Sequence, residues 1–273
     1  PPKQEALIEV DPSKEYESFP LTEIQHAYLV SRGDSSSQAT VGTTYCQIFA
    51  VDEIDLDRLD AAWGKVQKRH GMMRASVEED GTQSIAPSSK IGHIERAECA
   101  NSSEAKQQLE EIKRTVFALA KPPLHRVVSI SCHEESGKQT RLVFCFDYTV
   151  LDALSVMTVL AELAELYENP GADLPGIGLT FRDFVVGHRR DGREVEEAEG
   201  YWRSRLPELP PAPQLPLAAD PSTVGEGRFE RLWRTVAEPE WSAVKEKARL
   251  HGITPSAVLL ACYARVLSAW SGG

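Results

Sequence analysis

The chain has 273 residues with 41 acidic against 30 basic side chains, a net charge of −11 and a pI near 5.2. That length can bury a sizeable core and suits one large domain or two smaller ones. The acidic balance excludes a binder of phosphate backbones, which needs a clustered basic face, and no stretch approaches the roughly 18–20 apolar residues of a membrane span.

The N-terminus, Pro1-Pro2-Lys3-Gln4-Glu5, lacks the apolar core of a signal peptide, and Pro1 is not an initiator methionine. A fragment or processed chain of cytoplasmic location is expected, with no nucleic-acid and no membrane partner. The five cysteines (Cys46, Cys99, Cys132, Cys145, Cys262) are odd in number, widely spaced and form no CxxC. They read as reduced, buried thiols of a reducing compartment rather than as a disulfide or zinc site. No histidine spacing of the HExxH type occurs, so no metal site is expected.

In chain order, residues 1–18 form a polar lead-in. Thr22-Glu23-Ile24-Gln25 is a capping box that opens a helix ending near Arg32-Gly33. Ser35-Ser36-Ser37 reads as a loop and Thr43 to Val51 as a strand. Asp55 to His70 is an amphipathic helix carrying Leu56, Leu59, Trp63 and Val66 at helical spacing, and Gly71 stops it. Met72 to Val77 and Thr82 to Ala86 are strands flanking the Asp80-Gly81 turn signal. Ser103 to Leu119 is predicted helical. Leu124 to Cys132 and Thr140 to Asp147, joined through Ser136-Gly137, are apolar nearly throughout, as central strands covered on both faces are. Ala153 to Glu168 is a helix that Asn169-Pro170-Gly171 ends. Thr180 caps a helix over Phe181 to Arg190, and another runs from about Glu194 to Leu206. Five prolines within residues 207–216 exclude helix and ladder, leaving an extended crossing segment. Arg228 to Ala237 is a predicted strand and Pro239 to His251 a helix closed by Gly252. Thr254-Pro255 starts a last helix with Pro at its first position. Val258, Leu259, Leu260, Cys262, Tyr263, Val266 and Leu267 make that helix apolar around most of its circumference, so it calls for cover on several sides. Gly176-Ile177-Gly178 is half a GxGxxG with no third glycine and no strand before it, which argues against nucleotide binding. The mixture of βα units and hairpins points to an α/β sandwich with a mixed sheet.

The stretch Asp147-Tyr148-Thr149-Val150-Leu151-Asp152 is the most informative of the chain. A buried strand ends on one acid and an apolar helix starts on another, which describes a site at a sheet edge. Charge in such a place is costly unless it is paired or used.

Several segments, taken together and in order from about residue 19 to 270, resemble the heterocyclization domains of nonribosomal peptide synthetases, members of the condensation-domain superfamily. Phe19-Pro20-Leu21-Thr22-Glu23-Ile24-Gln25-His26-Ala27-Tyr28 resembles their opening motif and Arg69-His70-Gly71-Met72-Met73-Arg74-Ala75 their second. Asp147 to Asp152 with Ser155 resembles their DxxxxDxxS core. Thr180-Phe181-Arg182-Asp183-Phe184, the proline segment and Thr254-Pro255-Ser256 resemble the stretches that follow.

The resemblance implies a chloramphenicol acetyltransferase-like α/β sandwich with a mixed sheet and helices, truncated in its second half. Residues 1–178 would form the N-terminal subdomain and residues 179–273 the beginning of the C-terminal one. It implies transfer of an upstream acyl or peptidyl thioester to a carrier-bound Cys, Ser or Thr, then cyclodehydration to a thiazoline or oxazoline. The domain itself would bind no cofactor. Its partners would be donor and acceptor peptidyl carrier domains, which supply phosphopantetheine arms, an adjacent adenylation domain and the remainder of its own domain. Where plain condensation domains carry HHxxxDG, this chain has Asp147-Tyr148 and Asp152-Ala153, so Tyr148 stands at the general-base position. A tyrosine with a pKa near 10 is a poor base at neutral pH. The proton-handling Thr and Asp of the family would fall past Gly273, and the chain alone is expected to be inactive.

On this reading Asp147 and Asp152 mark the floor of a cleft. Asp152 reads mainly as a helix cap, and Asp147 stays open between shaping a tunnel and direct chemistry. Arg74 is one candidate partner for a carboxylate, and a group in the remainder of the domain is an equal candidate. Tyr148, Ser155, Arg74, His70 and Tyr28 are candidate tunnel residues, with strand-end packing, helix-end charge and core packing as the competing readings. Ser155 lacks a GxSxG elbow, which argues against a nucleophile.

Overall fold

The inner strands are apolar because both of their faces are covered. The computed structural model describes residues 8–33, 43–89, 91–134, 137–187, 192–220, 223 and 232–271. It places β2 (Thr44–Val51), β7 (Gly137–Asp147), β6 (His125–Glu134) and β5 (Glu95–Cys99) in one sheet in the order β2-β7-β6-β5. β5 runs parallel to β6, and the other two pairings are antiparallel. Leu142, Phe144 and Phe146 point from β7 into one cluster with Leu59, Trp63 and Val66 of α2 (Leu56–Arg69) and Val156, Val159 and Leu163 of α4 (Ala153–Glu168). Val143 and Cys145 point the other way, onto Ala105 and Ile112 of α3 (Ser102–Lys113). Alternation along one strand thus feeds two cores. Trp63 is 1% exposed and meets Phe144, Phe146 and His125 edge-on with ring centroids 5.8, 6.2 and 5.1 Å away. Truncating it to alanine costs about 3–5 kcal/mol.

A second, three-stranded sheet has the order β1-β4-β3, from Phe19–Pro20, Thr82–Ile85 and Ala75–Val77. The Asp80-Gly81 turn forms as expected. Gly81 has φ +83°, and the Asp80 carboxylate accepts from the Thr82 amide at 3.0 Å. That positive φ favours glycine, and a Cβ there would also lie 2.6 Å from Cε1 of His26, whose exposed ring would have to move.

α1 (Glu23–Gly33) begins on the predicted capping box. The Thr22 amide donates to Gln25 Oε1 at 2.9 Å, and the Gln25 amide donates to Thr22 Oγ1 at 3.4 Å. α2 starts on Asp55, whose carboxylate accepts from the amides of Asp57 and Arg58, both at 3.0 Å. α2 and α4 are tied at their ends, where the Asp55 amide donates to the Tyr167 hydroxyl and Arg58 lies 4.8 Å from the centroid of the same ring.

Several expectations are corrected. Residues 71–74 form a 3-10 turn, so the strand expected from Met72 begins at Ala75. α3 stops at Lys113 rather than Leu119, where the Thr115 hydroxyl donates to the Ile112 carbonyl at 2.6 Å and helps to hold the last turn. β5 went unforeseen because four of its five residues, Glu95, Arg96, Ala97 and Glu98, are not fully buried, and only Cys99 and the half-buried Ala97 meet the core. β7 is an inner strand, so the acidic motif lies where a strand runs out at the end of the sheet, not along an edge strand. The reading of all five cysteines as reduced thiols fails for two of them. The β2–β7 register sets Cys46 opposite Cys145, and the two form a disulfide, while Cys99, Cys132 and Cys262 are free. Their separation of 99 residues along the chain hid this pairing.

The chain divides into two compact units, the first ending at Arg189 and the second holding Arg190–Gly273. α5 (Phe181–Gly187) belongs to the first unit, where Phe181 packs edge-on against Phe19 at 6.3 Å. The second unit contains α6 (Gly192–Arg205), an extended proline segment, α7 (Glu238–Leu250) and α8 (Pro255–Trp270). α8 buries none of its residues, and Leu260 and Trp270 are 68% and 65% exposed. Of the strand expected over 228–237, residues 232–237 carry no regular structure and the rest lies outside the described residues. The Ser35-Ser36-Ser37 loop, Ser136 and the helix end at Arg189-Arg190 also lie outside them. Among the described residues no single helix is long and apolar enough to cross a membrane, and only α7 and α8 taken together, bent by 102°, reach that length and composition.

Candidate active site

β7 delivers Asp147 to the end of the sheet with no exposed surface (0%). The strand ends there because two amides turn back, with Val150 and Leu151 both donating to the Asp147 carbonyl at 3.1 and 3.3 Å. The side chain is fully engaged. Arg32 forms an ion pair with Oδ2, Thr43 Oγ1 donates to Oδ1 at 3.0 Å, and the Thr149 amide donates to Oδ1 at 2.9 Å. Arg32 also donates to Thr43 Oγ1 at 3.2 Å and to the Phe117 carbonyl at 3.1 Å. α1 therefore supplies the counter-charge that the burial of Asp147 demands.

Asp152 sits in a different environment. It is exposed at the N-terminus of α4, where its carboxylate accepts from the Ser155 amide at 2.7 Å. Hydrogen bonds from the Ser155 side chain and amide hold its pKa below the usual carboxylate value. This is N-cap chemistry, favoured further by the helix dipole. The two acids of the motif are thus not a matched pair, since one is sealed inside and the other faces water.

The loop between them is fixed from behind. The Tyr148 amide donates to the Thr43 carbonyl at 2.9 Å, and the Tyr148 ring stacks on Tyr45 at 5.5 Å and 16°. The Thr149 carbonyl accepts from Gln25 Nε2 at 2.8 Å. Gln25 and Gln83, both buried, exchange amide hydrogen bonds of 2.9 and 3.0 Å, and Gln83 Nε2 also donates to the Pro20 carbonyl at 3.1 Å. The capping role of Gln25 is legible in the motif, and its place on a helix offered tunnel lining or core packing; its bond to Gln83 needs a partner 58 residues away.

The other expected site residues lie apart from the acids. Arg74, 2% exposed, closes the C-terminus of α2. Its guanidinium donates to the carbonyls of Gln67, Lys68 and Ala86, with Glu15 at 3.4 Å. It is therefore not the partner of either carboxylate, and its charge offsets the negative end of a helix. His70 caps the same helix and meets Glu162 of α4 through Nε2 at 2.6 Å, alongside Arg69 at 3.0 Å. Tyr28 is half-buried on α1, and Ser155 is half-buried in the first turn of α4. Two surface grooves, of about 480 and 290 Å³, are lined by residues 194–202 and by β5, β6 and α3, and neither includes Asp147 or Asp152. Among the described residues no cluster of three His, Cys, Asp or Glu is placed to hold a metal ion.

Residues 15–273 match the condensation-domain family. The chain is 32% identical over 279 residues to phenyloxazoline synthase MbtB of Mycolicibacterium paratuberculosis, covering 96% of this chain and 22% of that protein. It is 31% identical to bacitracin synthase 1 of Bacillus licheniformis, covering 96% of this chain and 5% of that protein. The chain thus spans less than a quarter of these relatives' length. Among solved structures, the cyclization-docking bidomain of EpoB from Sorangium cellulosum matches with a TM-score of 0.85 at 30% identity, covering 96% of this chain and 54% of that one. The condensation domain of the monacolin K polyketide synthase MokA shares the fold at 17% identity with a TM-score of 0.70. The expected chloramphenicol acetyltransferase-like α/β fold is therefore met. With its strand-to-helix acidic motif and its match over residues 15–273, this chain belongs to the condensation-domain family.

Proposed function

We propose that the chain is part of a heterocyclization domain. Such a domain joins an upstream acyl or peptidyl thioester to a carrier-bound Cys, Ser or Thr and then closes a thiazoline or oxazoline with loss of water. The observation that carries this reading is the state of the Asp147–Asp152 motif. At the position where a condensation domain's general-base histidine would stand there is Tyr148, whose ring is stacked on Tyr45. Its neighbour Asp147 is fully engaged by Arg32, Thr43 and Thr149. Neither is arranged as a neutral-pH base. The similarity to phenyloxazoline synthase MbtB and to the EpoB cyclization bidomain supports the same reading. Substrates would arrive as thioesters on phosphopantetheine arms of donor and acceptor carrier domains.

The test uses the synthetase that contains this sequence, with both carriers loaded. Intact-mass analysis of the acceptor carrier should find a product lighter by one water than the linear amide. A linear amide as the sole product would replace this reading with plain condensation, and no new bond at all would leave a carrier-docking module.

A further inference from the structure

The structure assigns a second role to the Cys46–Cys145 disulfide: we propose that it is a thiol-responsive staple that sets how firmly the Asp147 motif is held. The proposal concerns the order of the motif and holds whatever reaction the motif serves.

The argument begins with the register. Thr44 faces Asp147, Tyr45 faces Phe146 and Cys46 faces Cys145. The cross-link therefore lies two rungs from the end of the ladder where the motif begins. Just past that end, Thr43 makes three of the contacts that fix the motif. Its hydroxyl donates to Asp147 Oδ1 and accepts from Arg32, and its carbonyl accepts from the Tyr148 amide. Among the described residues β2 is an outer strand of the four-stranded sheet, paired on one side, to β7. An outer strand opens locally far more readily than an inner one. When its first rungs part, Asp147 loses one donor while it remains out of water, and Tyr148 loses its acceptor. The disulfide opposes this opening at the strand that carries Thr43.

The two cysteines differ in exposure. Cys145 has no exposed surface, whereas Cys46 is half-buried on the outer strand. A low-molecular-weight thiol of the glutathione class would attack Cys46 Sγ as its thiolate. The S–S bond breaks, Cys145 leaves as a thiolate and takes up a proton, and Cys46 is left in a mixed disulfide. A second thiol displaces Cys46 and forms the oxidised thiol dimer. Overall two thiols are oxidised to one disulfide, and the protein disulfide is reduced to two thiols, by two electrons and two protons. The reverse reaction with the oxidised dimer resets the staple. The free cysteines Cys99 and Cys132 are buried and stay outside this exchange, and Cys262, exposed, is replaced by serine in the test protein to prevent cross-linking between molecules.

The full chain carrying Cys262→Ser, purified without reductant, would be alkylated in denaturant and mapped by mass spectrometry. The peptides holding Cys46 and Cys145 should be found linked, with Cys99 and Cys132 alkylated. Amide hydrogen exchange would then be followed with and without reduced glutathione. Exchange at Tyr148 and Thr149 and along the first residues of β2 should quicken about tenfold, equivalent to about 1.4 kcal/mol of eased opening. Amides between β5 and β6 should not respond. Because the comparison is one protein with and without thiol, it does not depend on a cysteine variant folding. Alkylated, unlinked Cys46 and Cys145 in the unreduced protein would overturn the proposal, as would a linked pair whose reduction leaves exchange at Tyr148 and Thr149 unchanged.

Discussion

Replacing Arg32 by alanine tests whether the acidic motif is held by charge or only by packing. In the native chain the Arg32 guanidinium is largely buried, at 11% side-chain exposure, and Asp147 is wholly so. The substitution deletes the counter-charge, and with it the donor to Thr43 Oγ1 and the donor to the Phe117 carbonyl. The carboxylate keeps only the Thr43 hydroxyl and the Thr149 amide. A buried charge stripped of its partner costs about 3–5 kcal/mol, well above the roughly 0–1 kcal/mol of an exposed pair. Replacing both partners with apolar residues of similar size, Arg32→Met with Asp147→Leu, removes the stranded charge and should recover most of the loss.

A single melting curve is the wrong assay, because the chain has two compact units and two-state unfolding cannot be assumed. Hydrogen exchange of peptides from β6 and β7 reports the first unit alone. Arg32→Ala should lower their protection by at least about 100-fold, roughly 3 kcal/mol, and the double variant by far less. A loss under about fivefold for Arg32→Ala, or a double variant as damaged as the single one, would refute the view that Asp147 is a paired charge.

His125 is buried against Trp63, and burial pushes its pKa down to about 4 despite an opposing interaction with the Met73 backbone. The unfolded chain takes up this proton near pH 6.5 and the folded one does not, so stability is full above pH 6.5 and falls as the pH drops towards 4, by about 3 kcal/mol in total. Titration of the unfolding free energy of the first unit should show this slope, and His125→Leu should flatten it. Asp152→Ala should cost about 0.5–2 kcal/mol through loss of the α4 cap, with Asp152→Asn largely retaining stability. Because its carboxyl pKa is lowered in the fold, the charge-dependent part of that cap is present at neutral pH and disappears only below about pH 4, which hydrogen exchange of α4 peptides in both variants across that range, corrected for intrinsic exchange, would separate from the His125 window. Gln25→Leu strands the buried amide oxygen of Gln83 and the Thr149 carbonyl, at about 1–3 kcal/mol for each unsatisfied group, and a double-mutant cycle with Gln83→Leu should return a coupling above about 1 kcal/mol.

What could be read in the chain beforehand was local. Thr22 with Gln25, Asp152 before Ala153 and the apolar face of α2 are patterns spanning one or two helical turns, and each formed as the pattern dictates. The inner strand β7 declared itself by the apolar run Leu142–Phe146, and β6 by a segment that is apolar except for small polar residues such as Ser129 and Ser131. β5 carried Glu95, Arg96 and Glu98 and gave no such signal, because an edge strand can leave most of its side chains in water. The features that define the site were hidden for a different reason. Arg32 and Asp147 are 115 residues apart, Gln25 and Gln83 are 58 apart, and Cys46 and Cys145 are 99 apart. Each is an ordinary residue with many possible partners until the register of β2 on β7 and the seat of α1 are fixed.

Those long-range contacts also change what the acidic motif can be asked to do. Two carboxylates flanking a tyrosine suggest a proton-transfer site. In the fold, however, the acceptor positions of Asp147 are occupied by Arg32, Thr43 and Thr149, so a substrate could reach it only by dismantling the pairing that makes its burial tolerable. Asp152 is open to water, but its charge is committed to the first turn of α4 and its lowered pKa makes it a weak proton acceptor at neutral pH. We therefore propose that the motif acts as a brace that holds the start of α4 and the Tyr148–Leu151 turn, and on the heterocyclization reading the groups that move protons are residues other than Asp147 and Asp152. A variant such as Asp152→Asn, which preserves the cap and removes the charge, should on this view leave the ratio of cyclised to linear product in the parent synthetase unchanged. A selective loss of the cyclised product would return Asp152 to the chemistry.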